Sequence, residues 1–425
     1  MINTKKALAY IYILYASTTI FTPKIKIGLQ SGVYPFEIIC LVLSLYLLLS
    51  NKLKFSSIEK NYFLYLFFAF FSWNLWLVRE GTINIVSLLK LMKYSVFILL
   101  IPVAFYLKPY LTEAILKKIL YSQVLFVVLA GGYTIYHTFI QPVSFEILMS
   151  DYSPEYRMVG FVGYALTPQG LVYIGTGSVQ MGVYMAILFL IFLSLYFHFR
   201  KLGYLIMSFV LFTGLLLAYS RSGFMVMAIG FVYLLRLKFL NKRVFKFTLV
   251  LAVSVLLMML FTNFWGFVSS WGIMGKLSHR GFEDVGRVTY WTLGVDYILN
   301  NPIKIILGAG YGSVESIFGF GTLESLLFDT LVETGVFGLI FLLLFIYKLW
   351  EYSKKYSSPF QNNSIFKAVL YGYYLATPGL LIANTVGGNS IQTDFMAPTF
   401  YLSLGICLAH TRGIHVNRKS VSTIE

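Results

Sequence analysis

The sequence Ser220-Arg221-Ser222-Gly223 places an arginine between two apolar runs that have almost no loop between them. A charged side chain costs about 2.5 to 3.5 kcal/mol at the centre of a membrane helix, so it normally needs a partner or a function. Ser220 or Ser222 can cap the following helix, whose N–H groups and positive dipole end would lie beside the guanidinium and bind an anion. The pattern is equally typical of a hairpin turn whose arginine reaches the lipid headgroups.

A second arginine lies in the sequence GRVTYWTLG, which begins at Gly286. Its residues at positions i, i+3, i+4 and i+7 are Arg287, Tyr290, Trp291 and Gly294. This spacing places all four on one face of a helix. A guanidinium beside two aromatic rings suits a sugar that bears phosphate. The alternative is an aromatic belt at the level of the lipid headgroups.

A glycine-rich segment, LGAGYGS, begins at Leu307 and is followed by Glu315 and then by three acidic residues that approach the next apolar run. Its GxGxG pattern suggests a phosphate loop, but no strand precedes it and no GK[ST] follows. Turns that allow close backbone approach explain Gly310 and Gly312 better. The three that approach the next run are Glu324, Asp329 and Glu333. A carboxylate near a sugar hydroxyl can serve as a general base, but a solvated acidic rim explains any single one of them more readily.

The composition predicts that a bilayer surrounds most of the chain. Of the 425 residues, 58% are hydrophobic and 12% are charged, whereas soluble domains carry about 25% charged residues. The uncharged runs show no alternating barrel pattern, and backbone groups in lipid must bond internally, so each run is expected to be helical. The expected fold is an all-α integral membrane protein that forms a single polytopic domain over residues 1–425.

About twelve spans are expected, at 7–23, 34–50, 61–78, 91–107, 119–140, 180–198, 203–219, 222–236, 247–263, 330–348, 368–386 and 395–410. Lys and Arg are retained preferentially in short cytoplasmic loops. With the N-terminus inside, the predicted cytoplasmic segments hold 22 of the 33 basic residues against 4 of the 17 acidic ones, a net +18. The other side holds 11 basic against 13 acidic residues, a net −2. Both termini are therefore expected to be cytoplasmic.

Two connections on the outer side, 141–179 and 264–329, are long, whereas every inner connection is short. Loops of this length in a compact protein are usually functional or disordered, and the aromatic and glycine content favours order. The site is therefore expected to face outward. Arg157 is the only basic residue of the first loop, where it could simply pair with an acidic neighbour. Arg280 follows His279 in the second loop, and a lone loop histidine is more often a bystander than a catalyst.

The sequence disfavours several other kinds of chemistry. The basic residues come in small groups between apolar runs, without the clustered face or module that binds nucleic acid, so no nucleic-acid partner is expected. Cys40 and Cys407 lie in apolar runs at opposite ends of the chain, which leaves no disulfide framework and no CxxC metal site. Neither a metal nor a cofactor is expected. The start, MINTKK with an apolar run after it, resembles a signal peptide without a cleavage site and is interpreted as a retained first helix.

The order of these motifs is similar to that of a known family. An SRSG turn followed by a large outer loop with GRVTYW, NP, LGAGYG and LVETGVFGL resembles the O-antigen polymerase and O-antigen ligase superfamily of bacterial envelope glycosyltransferases. The specific part covers about residues 217–344. The resemblance implies a GT-C type membrane enzyme at the periplasmic face of the inner membrane. Its donor and acceptor would be undecaprenyl-pyrophosphate-linked glycans, used without nucleotide or metal.

The resemblance also implies roles for individual residues. Arg221 matches the arginine of the family's SRG-like turn and Arg287 that of its R..YW motif, and both are associated with the lipid pyrophosphate. This agrees with the planar donor fork that arginine presents to phosphate oxygens. The residues expected to be catalytic are Glu324, Arg287 and Arg221. Those expected to bind substrate are Arg157, Arg280, Tyr290, Trp291, Ser220, Ser222, Gly310 and Gly312.

One departure from the family pattern favours a polymerase over a ligase. Ligases of this superfamily have a His-Asn-like pair eight or nine residues before the ExG that opens the next span, and counting back from Glu333 gives Glu324 and Ser325. A ligase without that histidine would lose its base. Glu324 is therefore the best candidate for deprotonating the acceptor hydroxyl.

The expected function is polymerisation of lipid-linked repeat units into O-antigen, or a similar capsule or exopolysaccharide, by inverting transfer. One alternative is the ligase that moves glycan to lipid A-core. Another is a flippase or transporter, but transporters place polar groups near the midplane of the membrane, whereas here intramembrane charges are nearly absent. Besides membrane lipids, a chain-length regulator and a flippase are candidate partners.

Overall fold

The structure is a computed structural model of the chain. It describes residues 4–19, 24–27, 31–33, 35–81, 85–135, 164–167, 170–173, 178–218, 220–238, 285–300, 302–319, 323, 325–357, 364–386 and 396–421.

The described part of the chain is mainly helical. Its α-helices are α1 (Thr4–Thr18), α2 (Pro35–Leu49), α3 (Ser57–Glu80), α4 (Ile85–Tyr106), α5 (Glu113–Ile135), α6 (Ser178–Phe199), α7 (Leu202–Ala218), α8 (Arg221–Lys238), α9 (Val285–Leu299), α10 (Pro302–Leu307), α11 (Val314–Phe318), α12 (Leu326–Tyr356), α13 (Ile365–Val386) and α14 (Ala397–Val421). Eleven of the twelve predicted spans coincide with one of these helices, and the span at 247–263 lies outside the described residues.

Length and composition identify six of the described helices as able to cross a membrane, namely α3, α4, α5, α6, α12 and α13. Three shorter apolar helical segments, at 36–49, 202–215 and 222–234, lie in α2, α7 and α8. The chain is therefore a helical multi-pass membrane protein. The count of twelve spans and the GT-C architecture stay predictions.

Besides the helices, the described residues include a small sheet, which the sequence did not predict. Its strands are β1 (Lys24–Ile27), β2 (Ser31–Val33), β3 (Tyr164–Thr167) and β4 (Gly170–Tyr173), in the order β2-β1-β3-β4. Two antiparallel pairs, β1 with β2 and β3 with β4, are joined by a parallel pairing of β1 with β3 in which Ile25 lies opposite Leu166. Sequence inspection provided no signal for the pairing of strands that lie about 140 residues apart.

The sheet and several long-range contacts test which loops lie at the same end of the bundle. The parallel pairing joins the loop after α1 to the loop after α5, and both were predicted on the outer side. At the opposite end, the hydroxyls of Ser57 and Tyr352 lie 2.9 Å apart, and His410 Nε2 lies 2.8 Å from the carbonyl oxygen of Leu111. We call the end with the sheet the outer end and the opposite end the inner end. The relative placement of these loops is as predicted.

The interior of the bundle is formed around α6, α13, α14 and α4. Helix α6 packs against α7, α8 and α13, while α4 packs against α14 and α12 packs against both α3 and α13. Tyr184, Phe192 and Tyr371 are among the large side chains that are almost fully buried there. Aromatic residues supply much of this core because each buries a large area and a phenol can still find a hydrogen-bond partner. Helix α13 thus lies between α8 and α12.

One ion pair inside the bundle corrects the expectation that intramembrane charges are nearly absent. Glu37 of α2 and Lys93 of α4 are both buried, with Nζ 3.6 Å from Oε2. Removing one partner from such a pair leaves an uncompensated buried charge, which is strongly destabilising. The pair therefore ties α2 to α4 near the outer end.

Candidate functional site

A small layer of helices covers the outer end of α12. Helices α9, α10 and α11 pack on its first turns around a separate apolar cluster. The buried members of the cluster are Ile298, Ala309, Val314, Leu323 and Val332, and the side chains packed against them include Tyr290, Trp291 and Phe328. The second long loop was expected to be ordered, and its described residues do form helices. This layer brings the GRVTYW helix and the glycine-rich loop to one place.

Trp291 is held by contacts within the protein. Its indole Nε1 donates a hydrogen bond to the carbonyl oxygen of Leu323 at 3.0 Å, and its ring stacks on Phe328 with centroids 5.4 Å apart. The N–H of Leu323 in turn donates to Asp329 Oδ1 at 2.7 Å. A side chain at Gly294 would collide with Leu323, so the notch predicted on this face serves helix packing. The face that carries the aromatics therefore points into the small cluster.

Helix α12 breaks two residues after Glu333. Gly335 has φ 70° and ψ −173°, which interrupts the helical hydrogen bonds. The carbonyl groups just before a break lose their donors four residues ahead. Here Ala309 N–H donates to Val332 O at 2.7 Å, Gly310 N–H donates to Glu333 O at 3.2 Å, and Ser72 Oγ donates to Glu333 O at 2.5 Å. The glycine-rich loop and α3 thus replace the missing helical bonds.

Two glycines are required where the loop crosses the broken helix. A Cβ at Gly335 would lie 2.3 Å from the carbonyl oxygen of Ile306, and one at Gly308 would lie 2.2 Å from that of Glu333. Both residues also have positive φ angles, which side chains disfavour. The interpretation of this segment as turns for close backbone approach is confirmed. The N–H groups of Ala309 and Gly310 donate their hydrogen bonds to α12.

The carboxylate of Glu333 lies where α12, the loop and α4 meet. Its Oε1 accepts the N–H of Gly312 at 3.0 Å. The charges of Asp329 and of Lys90, on α4, both act on this carboxylate. Lys90 was missed by sequence reasoning, which counted it only as one of the outer basic residues. The signal that could have found it is a lysine inside the first turns of an apolar helix, where a charge needs a partner.

Tyr311, in the middle of the loop, anchors it in the main core of the bundle. The side chain is 6% exposed and belongs to the large apolar cluster. Burial raises the pKa of the Tyr311 phenol well above its ordinary value, and nearby Tyr94 adds to the shift. The phenol therefore stays neutral at physiological pH. Its part in the site is to hold the loop in place.

The SRSG turn is built on the serine cap that was predicted. Ser220 Oγ accepts the N–H of Gly223 at 3.1 Å, and α8 begins at Arg221. Ser220 and Ser222 are both buried. A Cβ at Gly223 would lie 2.5 Å from the carbonyl of Gly182, at the start of α6, so the turn packs tightly on that helix. The serines thus point inward and fix the helix start that carries Arg221.

The structure places the other predicted residues as follows. Arg287 lies on α9, one helical turn before Tyr290 and Trp291, and Arg221 is the first residue of α8. Arg157, Arg280 and Glu324 lie outside the described residues, although Leu323 and Ser325 on either side of Glu324 are both buried. Ser325 Oγ caps α12 by accepting Phe328 N–H at 3.4 Å. The substrate contacts predicted for all these residues stay predictions.

The two halves of the candidate site share the outer end of the bundle. The SRSG turn lies at the outer ends of α6 and α8, and the Glu333 region lies at the outer ends of α3 and α12. Helix α13 packs against both α8 and α12. Among the described residues, no group of three or more His, Cys, Asp and Glu side chains is placed to hold a metal ion.

Comparison with protein families identifies the same stretch of chain, because residues 206–343 match the family model described as O-antigen ligase. That range begins in α7 and ends in α12, so it contains the SRSG turn, the outer helical layer and the broken helix. A comparison with curated proteins finds no match. Residues 206–343 therefore match the O-antigen ligase family, which confirms the resemblance of this part of the chain to the O-antigen polymerase and ligase superfamily and supports a membrane protein of polysaccharide biosynthesis.

Proposed function

We propose that this protein polymerises undecaprenyl-pyrophosphate-linked oligosaccharide repeat units into O-antigen, or a similar capsule or exopolysaccharide. The observation that carries the proposal is the family match over residues 206–343, which takes in Arg221, Arg287 and the Glu333 region together. The proposed localisation is the inner membrane, with both termini cytoplasmic and the outer end facing the periplasm.

In the proposed reaction, the growing glycan on one lipid pyrophosphate is the donor, and a hydroxyl of a new lipid-linked repeat unit is the acceptor. The hydroxyl attacks the anomeric carbon opposite the pyrophosphate, which inverts that centre. Arg221 and Arg287 bind the pyrophosphate and stabilise the charge that it gains as it leaves. Most of the rate enhancement comes from holding two lipid-anchored substrates in the reacting geometry. On sequence evidence, Glu324 removes the proton.

The ligase is the second candidate, and the family description itself favours it. The polymerase is preferred because Glu324 and Ser325 stand where the resemblance implies a His-Asn-like pair in ligases. Ser325 also has a structural role as the cap of α12, which a serine fulfils well.

Deletion of the gene tests the proposal, with surface glycan and lipid-linked intermediates as the measurement. A polymerase deletion should leave a single repeat unit transferred to the core. Long chains that remain on undecaprenyl would instead identify a ligase, and repeat units trapped on the cytoplasmic side would identify a flippase. Complementation with the intact gene should restore the wild-type ladder of chain lengths.

A further inference from the structure

Helix α3 provides a measure of depth in the membrane. It is one of the six described helices that can cross a bilayer, with Lys60 exposed near its inner end and Arg79 exposed near its outer end. These two residues lie 19 positions apart, which is about 28 Å along a helix and close to the thickness of the hydrocarbon core. Cζ of Arg79 lies 4.9 Å from the centroid of the Trp76 ring, and such aromatic rings are typical of the membrane interface. The outer boundary of the hydrocarbon core therefore lies near Arg79.

Contacts with α3 place the glycine-rich loop below that boundary. Ser72 precedes Arg79 by seven residues, which is about 10 Å deeper along the helix. Its hydroxyl donates to the carbonyl oxygen of Glu333 at 2.5 Å. A Cβ at Gly310 would lie 2.4 Å from Cβ of Trp76, and Gly310 is itself buried. Backbone without helical bonds is tolerated at membrane depth only where protein covers it, as it does here. The loop thus lies at the depth of the outer leaflet, although it was expected in a long connection outside the membrane.

Helix α10, which leads into the loop, lies at the same depth. A Cβ at Gly335 would lie 2.3 Å from the carbonyl oxygen of Ile306, so the last turn of α10 touches α12 there. Gly335 lies two residues beyond Glu333, toward the inner end of α12. The contact therefore places α10 beside the membrane-spanning part of α12, below the level of the outer boundary.

The turn between α9 and α10 exposes apolar side chains at this depth. We define the elbow surface by its three members, which are Leu299, Ile303 and Ile306, exposed by 63%, 75% and 51%. Large apolar side chains grouped on a surface mark a contact with a partner or a membrane. Just beyond Gly335, Phe337 and Ile340 are exposed on α12, where a spanning helix meets lipid. The elbow surface therefore adjoins the lipid-facing surface of α12.

The polar groups of the elbow fit the headgroup level of a bilayer. Lys304 Nζ donates to the hydroxyl of Tyr297 and lies 4.4 Å from the centroid of its ring. Lysine and tyrosine side chains at an interface keep their apolar parts in the lipid and their polar ends among the headgroups. A cation beside apolar side chains is the pattern of helices that bind a membrane surface. Asn300 is exposed at the same turn, where a headgroup position leaves it accessible from the water.

We propose that the elbow surface is embedded in the outer leaflet of the membrane. Leu299, Ile303 and Ile306 contact the acyl chains, and Lys304 lies among the lipid phosphates. The outer helical layer is then part of the membrane domain, and the chain re-enters the bilayer between α9 and the glycine-rich loop. The inference rests on the membrane-spanning class of the protein and is independent of whether the enzyme is a polymerase or a ligase.

Fluorescence quenching in vesicles of phosphatidylcholine and phosphatidylglycerol tests the proposal with the full-length protein. Ile303→Cys carries an environment-sensitive fluorophore, and the buried Cys40 and Cys407 keep background labelling low. We expect a lipid with a nitroxide on its acyl chain near the headgroup to remove most of the Ile303→Cys fluorescence, whereas iodide in the water removes little. Asp296→Cys, at an exposed position of α9, should show the opposite pattern. Ile340→Cys should respond most to a nitroxide near the end of the acyl chain.

Two outcomes would overturn the proposal. Iodide quenching of Ile303→Cys as strong as that of Asp296→Cys would place the elbow in water. Protection of Ile303→Cys from both quenchers would show that protein covers it, either a second copy of the chain or another subunit. Each labelled variant must keep the melting temperature of the wild type, and Ile306→Cys repeats the measurement at a second position of the elbow surface.

Discussion

Glu333 shows how a single residue can join several elements through both its backbone and its side chain. Its carbonyl oxygen completes the hydrogen bonds of a broken helix, and its carboxylate orients the N–H of Gly312. Asp329, one turn earlier in α12, accepts the N–H of Leu323 instead. Asp329 and Glu333 look equivalent in the sequence but are distinguished by what each one contacts.

Arg221 and Arg287 carry the main prediction at this scale. Arg221→Ala and Arg287→Ala should each abolish polymer, because each removes a planar pair of donors from the leaving pyrophosphate. Gel analysis of surface glycan measures chain length, and an immunoblot of the membrane fraction must show a normal protein level. Arg200→Ala, at the inner end between α6 and α7, is the matched control and should leave polymer unchanged. Wild-type chain length in either outer variant would refute the assignment.

Trp291 illustrates a limit of reasoning from residue type. Helical spacing with Arg287 and Tyr290 predicted an aromatic face for a sugar, and the helix itself is confirmed. The indole nevertheless donates to Leu323 and stacks on Phe328. Spacing identifies which residues share a face but not whether that face meets substrate or another part of the protein.

At the scale of elements, the important feature is that α12 is interrupted at Gly335, near its outer end. Backbone groups inside a bilayer must bond within the protein, so a break is tolerated only where other groups replace the lost bonds. The glycine-rich loop supplies two N–H groups and α3 supplies a hydroxyl. This exchange fixes the outer helical layer to the bundle and positions α9 with its arginine.

Gly335→Ala should therefore weaken the protein. A left-handed backbone costs about 1–2 kcal/mol for a residue with a Cβ, and this Cβ would also lie 2.3 Å from Ile306 O. We expect a lower melting temperature of the protein in detergent and reduced polymer in cells. Gly203→Ala is the matched control, because a Cβ there has nothing within 4 Å and its helix tolerates alanine well. Equal melting temperatures for both variants would show that the break is not required.

For the whole molecule, the structure supports the sidedness that the charges predicted. The sheet joins two predicted outer loops, while Ser57 with Tyr352 and Leu111 with His410 join predicted inner segments. These contacts show which ends lie together, whereas the cytoplasmic assignment of the inner end rests on the distribution of Lys and Arg.

Cysteine labelling in spheroplasts tests that assignment. The native Cys40 and Cys407 are buried, so background labelling should be low. Asn300→Cys, exposed at the outer layer, should react with a membrane-impermeant maleimide, whereas Lys201→Cys, exposed between α6 and α7, should react only after permeabilisation. The opposite pattern would invert the topology and move the site to the cytoplasmic face.

The sequence by itself determined the helical membrane class, most helix positions, the serine cap before Arg221 and the family of residues 206–343. Each depends on local information, since apolar runs, caps and short motifs lie within a few residues of one another. Only the tertiary structure decided that β1 pairs with β3, that Glu37 pairs with Lys93, and that Ser72 donates to the carbonyl oxygen of Glu333. These contacts join residues that are far apart in the chain. They depend on how the helices pack, which no local pattern encodes.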